Sequence, residues 1–341
     1  MTIELKIADE KDAEEWNKLV DISPHGTIFH TWKWLKIAEK YTSFKLYPII
    51  GYKGTEPIGI FPLFYQRKAL LKMVFSPPPH AAIPYLGPLL VEYDELKQNK
   101  KEDNLTGFQN SANLFIYKEL RANYININLP LGLIDARPFI WGGYSADPNY
   151  HYSFDLSLGK SVLWQSLKKQ TRKNIKNAVD KVELTEGKST DLRFIYSSLE
   201  RRYKEQNRVF GESFDYINDV YLNYSNNLQI LMAKIDGEPI ATLVNIFYKD
   251  KMLSWVGNAK TNLSGVYPND LLMWKSIEYG CGEGYQIFYE IGANTPRLAQ
   301  YKSNFNPSLV VGFTIKKSSP ITKVIERAYS HTRNYIIGKW S

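Results

Sequence analysis

The chain has one cysteine, Cys281, among its 341 residues. A disulfide framework and any metal site built from several thiolates are therefore excluded, and Cys281, after a helix-like run, reads as a structural thiol. The five histidines, His25, His30, His80, His151 and His331, are scattered. None shows the His-x-x-x-His spacing that would put two ligands on one helix face, so no metal is expected. No apolar run approaches the ~20 residues needed to cross a bilayer, and the first residues lack the basic-then-apolar layout of a secretion signal. Neither a Gly-x-Ser-x-Gly elbow nor a Walker loop is present. What remains is a globular chain with no transmembrane segment, expected in the cytoplasm.

What is present begins with a duplication. Tyr47–Tyr52, a Lys53-Gly54-Thr55 turn and Glu56–Tyr65 form an apolar run, a polar glycine turn and a second apolar run. Leu228–Ile235, an Asp236-Gly237 turn and Glu238–Tyr248 repeat that pattern, and Glu-Pro-Ile opens the second run both times. Each copy reads as a β-hairpin. The copies lie too far apart for a solenoid repeat, so a whole domain is expected twice, over residues 1–150 and 151–341. Two domains of roughly 150 to 180 residues suit this length. Lysine and arginine number 43 against 35 acidic residues, a formal charge of +8, which suits a polyanionic partner. The 24 tyrosines can line polar-rimmed grooves as well as cores.

Along the first half, two Trp-rich helices are expected within residues 8–41, a short strand over 83–90, a charged mobile stretch over 92–104, a helix over 108–122 and a strand over 124–129. The second half predicts a strand over 152–156 and helices over 162–181, 190–206 and 216–224. A strand over 251–256, a helix over 271–279 started by Pro268 and Asn269, and a strand over 286–291 follow. Residues 321–341 suit a basic amphipathic helix. On the helix over 162–181, Lys169, Arg172, Lys173 and Lys176 fall at i, i+3, i+4 and i+7, one basic face able to hold phosphate or RNA backbone.

Three stretches of the second half carry a family resemblance. Leu163-Trp164-Gln165-Ser166-Leu167 leads through Arg172-Lys173-Asn174 to Ile175 and Ala178. Pro268-Asn269 leads into Leu271-Leu272-Met273-Trp274, then Gly284-Tyr285 and Tyr289-Glu290-Ile291-Gly292. Leu298-Ala299-Gln300-Tyr301-Lys302-Ser303-Asn304-Phe305-Asn306 is the third. With Phe29-His30-Thr31-Trp32-Lys33-Trp34-Leu35-Lys36 near the start, the chain resembles the Fem-type peptidyltransferases and related tandem GNAT-like acyltransferases. Asn304 and Asn306 stand where the family pattern has glycine, and the long helical arm of some members has no counterpart.

The resemblance implies an α/β fold of two tandem GNAT-like domains, each a mixed, mostly antiparallel sheet flanked by helices. It implies an acyltransferase that forms an amide and keeps no tightly bound cofactor. Its donor would be aminoacyl-tRNA and its acceptor an amine of an anionic, nucleotide-linked or peptide precursor of the cell envelope. Lys302, between Tyr301 and Phe305, would stabilise the oxyanion, and Glu290 is the carboxylate for the amine proton, with Asp135 and Asp270 as weaker competitors. Lys36, Arg172 and Lys173 would meet phosphates, Trp34 and Tyr85 would wall the acceptor groove, and Asn269 would contact substrate. The pyrophosphate-binding pattern of acyl-CoA enzymes is missing from Lys260–Pro268, which keeps one glycine. An acyl-CoA-dependent N-acyltransferase stays open as an alternative, as does a non-catalytic RNA-binding protein.

Overall fold

Both Glu-Pro-Ile copies are hairpins with the same irregularity. In the computed structural model, which describes residues 3–257, 265–320 and 322, β2 (Lys45–Lys53) pairs with β3 (Glu56–Lys68), and β9 (Leu228–Ile235) with β10 (Glu238–Tyr248). Register slips by one residue just after the proline each time: Tyr52 faces Pro57 but Gly51 faces Gly59, and Lys234 faces Pro239 but Ala233 faces Ala241. Proline has no N–H for the ladder, so Ile58 and Ile240 are left over as the extra residue of a bulge. At the second tip, Asp236 and Gly237 both have positive φ, +52° and +80°. That is the requirement of the primed turn matching strand twist.

The chain divides into two compact units. Among the described residues, unit 1 holds 3–78, 83–148, 312–320 and 322, and unit 2 holds 79–82, 149–257 and 265–311. The C-terminal strand returns to unit 1 from Gly312 onward. That strand's residues 314–318 pair antiparallel with residues 124–128, and Ile315 is fully buried in the unit 1 core.

Unit 1 contains β1 (Glu4–Ile7), α1 (Ala13–Ile22), α2 (Trp32–Tyr41), β2, β3, β4 (Leu71–Ser76) and β5 (Leu89–Leu90). After them come α3 (Gln98–Leu114), β6 (Tyr124–Asn128) and α4 (Arg137–Trp141). The sheet order is β1-β2-β3-β4-β6, antiparallel except for the parallel pair β4 and β6, with β5 beside β3. The stretch read as mobile is a correction: α3 begins at Gln98 and buries Leu105, Phe108 and Ala112 against the sheet. Its charged first turns hide an apolar stripe that starts only at Leu105. The strand expected over 83–90 shrinks to Leu89–Leu90, because two prolines and Gly87 interrupt the run.

Unit 2 takes β7 (Ser145–Asp155) from Asn149, then α5 (Gly159–Ser166), α6 (Lys169–Val179), β8 (Glu183–Glu186), α7 (Leu192–Glu205) and α8 (Phe214–Tyr224). Next come β9, β10, β11 (Lys251–Gly257), α9 (Pro268–Gly282), β12 (Ile287–Glu290), α10 (Pro296–Ser303) and the first residues of β13 (Ser308–Ser318). The sheet order is β7-β12-β11-β10-β9-β8, with β11 and β12 the parallel pair. Leu163, Ile175, Ala178, Leu271 and Phe288 sit in its core. The single helix expected over 162–181 is two, broken after Ser166. Cys281 lies partly buried, its thiol 3.6 Å from the Leu156 carbonyl, and burial pushes it up. Of the sequence expectations, Lys260–Ser264 and the helix over 321–341, apart from Thr322, lie outside the described residues.

Candidate active site

Unit 2 opens where its parallel strands part. The β11–β12 ladder runs from Lys251↔Ile287 to Ser254↔Glu290 and stops there. β11 continues to Gly257, whereas the other chain turns away at Gly292, whose φ of +86° is open to glycine. No described atom lies within 4 Å of where a Cβ on Gly292 would sit. Carboxyl ends of parallel strands are where α/β sheets leave room for a ligand. Pro296 starts α10, which carries Tyr301 and Lys302 back to this point.

Lys302 is 7% exposed and Glu290 6%. The Lys302 ammonium donates to Glu290 Oε1 at 2.8 Å, to the Gly292 carbonyl at 3.0 Å and to the Ile291 carbonyl. Three N–H groups thus meet three acceptors, the condition for keeping an ammonium out of water. Glu290 Oε2 is buried with no hydrogen-bond partner among the described residues.

His151, on β7, braces the same turn. Its Nδ1 accepts from the Gly292 N–H at 3.2 Å, so Nε2 carries the proton and donates to Asn149 Oδ1 at 2.7 Å. Burial, and then the Lys302 charge, push this imidazole down to about 4, so it is neutral near pH 7. On α9, the buried Asp270 accepts from Asn174 Nδ2 at 2.8 Å. Burial pushes its carboxyl up against that bond. The Tyr301 ring stands edge-on to Phe305, 5.8 Å between centroids. Its hydroxyl is buried and feels Asp270 and Glu290, yet falls short of hydrogen-bond geometry with any described group. Burial first, then those carboxylates, hold the phenol far above its ordinary value.

The structure therefore gathers Lys302, Glu290, Tyr301 and the secondary carboxylate Asp270, with Phe305 as the buried support beneath Tyr301. Asn269 is the half-buried second residue of α9. Arg172 departs from the expected basic face. Its Nη1 donates to the carbonyls of Gln165 and Leu167, both at 2.6 Å, and lies 3.4 Å from that of Trp164. It closes the end of α5 at the unforeseen break, while Lys169, Lys173 and Lys176 stay exposed. In unit 1, Trp34 is a correction: it is fully buried and packs edge-on to Phe29, so it is core and offers no wall to a ligand. Tyr85, 4% exposed, packs on the same Phe29. Lys36 is held by Glu39 and, at 3.8 Å, by Glu10. Asp135 is bound by Arg137 beside a cavity of about 600 Å³ in unit 1, where Glu102 takes the same guanidinium. His151 and Asn174 were not singled out from sequence. Asn174 lies in the Arg172-Lys173-Asn174 stretch but was given no role there, and each matters through a partner more than ninety residues away.

Residues 165–303 match the family model described as an acetyltransferase (GNAT) domain. The matched segment lies within unit 2 and carries its GNAT domain. That places the chain among transferase enzymes. The structure of FemX superposes with a TM-score of 0.67 at 12% identity, covering 91% of this chain and 96% of that one. The C-terminal domain of a putative lysylphosphatidylglycerol synthetase from Agrobacterium fabrum gives 0.54 at 12%, covering 95% and 97%. A tandem GNAT protein from the clavulanic acid biosynthesis pathway gives 0.56 at 10%, covering 93% and 99%. The chain as a whole has the Fem-type tandem GNAT fold. No curated protein matches it by sequence. Within the GNAT domain, the strand parting and the Lys302–Glu290 pair form the candidate active site. Among the described residues no helix is long and apolar enough to cross a membrane.

Proposed function

We propose that the chain is an amide-forming acyltransferase. It moves an aminoacyl group from aminoacyl-tRNA to an amine of an anionic, nucleotide-linked or peptide precursor of the cell envelope, in the cytoplasm. The observation that carries the reading is the buried Lys302–Glu290 pair at the parting of β11 and β12, with Glu290 Oε2 unpartnered. Attack of an amine on an ester builds an oxyanion and an ammonium that must lose a proton. Glu290 Oε2 accepts that proton. Lys302 exchanges its bond to the Gly292 carbonyl, at 3.0 Å, for one to the oxyanion. His151 keeps hold of the Gly292 N–H meanwhile, so the turn does not follow the lysine.

The exposed Lys169, Lys173 and Lys176 and the net charge of +8 suit a polyanionic donor. In this reading Asn269, at the start of α9, contacts substrate. On the acceptor side, Lys36 is half-exposed and meets a phosphate by leaving Glu39. The structural likeness to FemX and to a lysylphosphatidylglycerol synthetase domain supports this reading over acyl-CoA, while the family model's description keeps acyl-CoA as the second donor.

Thermal stability measured against charged tRNA, uncharged tRNA, CoA thioesters and nucleotide-linked muropeptides separates these readings, since a ligand of the native state raises it by mass action. A rise with charged tRNA or a muropeptide is expected. A rise with CoA thioesters alone favours the acyl-CoA-dependent N-acyltransferase. RNA binding that weakens steeply with salt, persists in Glu290→Gln and accompanies no transfer from any donor favours the RNA-binding reading.

A further inference from the structure

Within unit 2 a cavity of about 290 Å³ opens between α5 and α9, walled by Lys160, Ser161, Trp164 and Trp274. The two indole rings lie 4.7 Å apart between centroids and are tilted by 59°, so they form a wedge and not a parallel stack. Trp274 is 5% exposed and belongs to the core, whereas Trp164 is only half-buried. Trp16, Trp32 and Trp255 donate their indole N–H to His30, Glu10 and Ala82. The wedge indoles make no such bond among the described residues. Lys160 and Lys275 share one carboxylate, that of Glu278, which leaves the trio one positive charge in excess. The cavity also adjoins α6, since Arg172 Nη1 lies 3.4 Å from the Trp164 carbonyl, and Lys169, Lys173 and Lys176 are exposed on that helix. The junction of α5 and α6 is tied in turn to the end of α10. The Lys168 N–H donates to the Asn304 carbonyl at 3.0 Å, two residues past Lys302. Trp274 itself stands about one helical turn along α9 from Asp270.

We propose that the Trp164–Trp274 wedge binds one nucleobase of the donor, stacked on the Trp164 ring with its phosphates on the basic face of α6. This rests on the donor reading given above. An aromatic face accepts any base, and a base edge offers ring nitrogens and carbonyls to a free indole N–H. Exposed lysines on a neighbouring helix then meet the backbone charge. A fatty acyl chain would use the rings and leave the N–H and the lysines idle. An aromatic amino-acid side chain would bring no phosphate. A base joined to phosphates uses all three features. Two donors carry that chemistry, the unpaired 3′ end of a tRNA and the adenine nucleotide of a CoA thioester.

The probe is a labelled single-stranded RNA tetranucleotide, its binding read by fluorescence anisotropy over a range of salt. Wild type is expected to bind it, and Trp164→Ala to weaken it about tenfold, the loss of one stacked base. An abasic tetranucleotide should bind wild type and Trp164→Ala alike. The salt slope should be unchanged in Trp164→Ala and smaller by about 0.7 in Lys173→Ala, which removes one phosphate contact. Ser161→Trp fills the cavity from an exposed position, so it should match Trp164→Ala and decides the question if that variant fails to fold. Equal binding of the base-bearing probe by wild type and both cavity variants overturns the pocket. An abasic probe weakened as much as the base-bearing one overturns it too, since the effect is then structural. CoA is titrated in parallel by thermal shift. A rise with CoA that both cavity variants lose, beside no RNA binding by wild type, keeps the pocket and rejects the tRNA donor alone. RNA binding indifferent to both variants, beside transfer from charged tRNA, rejects the pocket alone. Binding of neither probe to wild type overturns both.

Discussion

Lys302 and Glu290 depend on each other for burial. Lys302→Ala would strand a buried carboxylate, so it is expected to lose about 3–5 kcal/mol of stability as well as turnover. The double variant Lys302→Met with Glu290→Gln removes both charges at similar volume and should fold near wild-type stability while transferring nothing. Urea unfolding of the two variants checks this, and equal losses in both would show that the pair is not coupled. His151 gives a pH signature. Its folded value, about 4, lies below the unfolded 6.5, so the unfolded chain binds the extra proton between them. The contribution is complete above pH 6.5 and is lost as pH falls toward 4, by about 3 kcal/mol at most. Asp270 acts oppositely, because its raised carboxyl takes a proton first in the folded state as pH falls. Comparing wild type with His151→Gln across that window isolates the histidine, and parallel curves would refute the assignment. Asn306 replaces a family glycine and has a φ of +56°. Asparagine tolerates that region and β-branched residues do not. Asn306→Gly should be close to neutral, whereas Asn306→Val should cost about 1–2 kcal/mol in urea unfolding.

At the scale of elements, the break between α5 and α6 was invisible in the sequence. The stripe Leu163, Leu167, Ile175, Ala178 reads as one helix, and all four residues are buried as such a stripe demands. What splits it is a contact between residues several positions apart: the Arg172 guanidinium closing the final carbonyls of α5. Arg172→Ala is expected to cost about 1–2 kcal/mol, and Lys173→Ala, on an exposed position, close to none. A thermal-unfolding pair measures the difference, and equal effects would return Arg172 to the basic face. The bulges at Ile58 and Ile240 were legible instead, because proline's missing N–H is a property of the residue itself.

For the whole molecule, β13 is the element whose place no local pattern could give. Its residues from Gly312 onward count with unit 1, where Ile315 faces Ile127 of β6 across the ladder and is fully buried. Ile315→Ala should therefore destabilise unit 1 by about 2–5 kcal/mol. Hydrogen exchange should show the loss first at the amides of β6, and unchanged protection there would argue against the pairing.

The sequence by itself determined the duplicated hairpins, the mixed α/β class and most helices and strands, since these follow from periodicity and turn residues acting over a few positions. It also pointed to Lys302 and Glu290, through a resemblance in short motifs. Only the tertiary structure decided that Trp34 is core, that Arg172 closes a helix, that the last strand belongs with the first unit, that His151 braces the turn beside the pair and that Asn174 holds Asp270. Those facts depend on which distant side chains share one desolvated space, and burial, unlike hydrophobic periodicity, is a property of the folded chain alone.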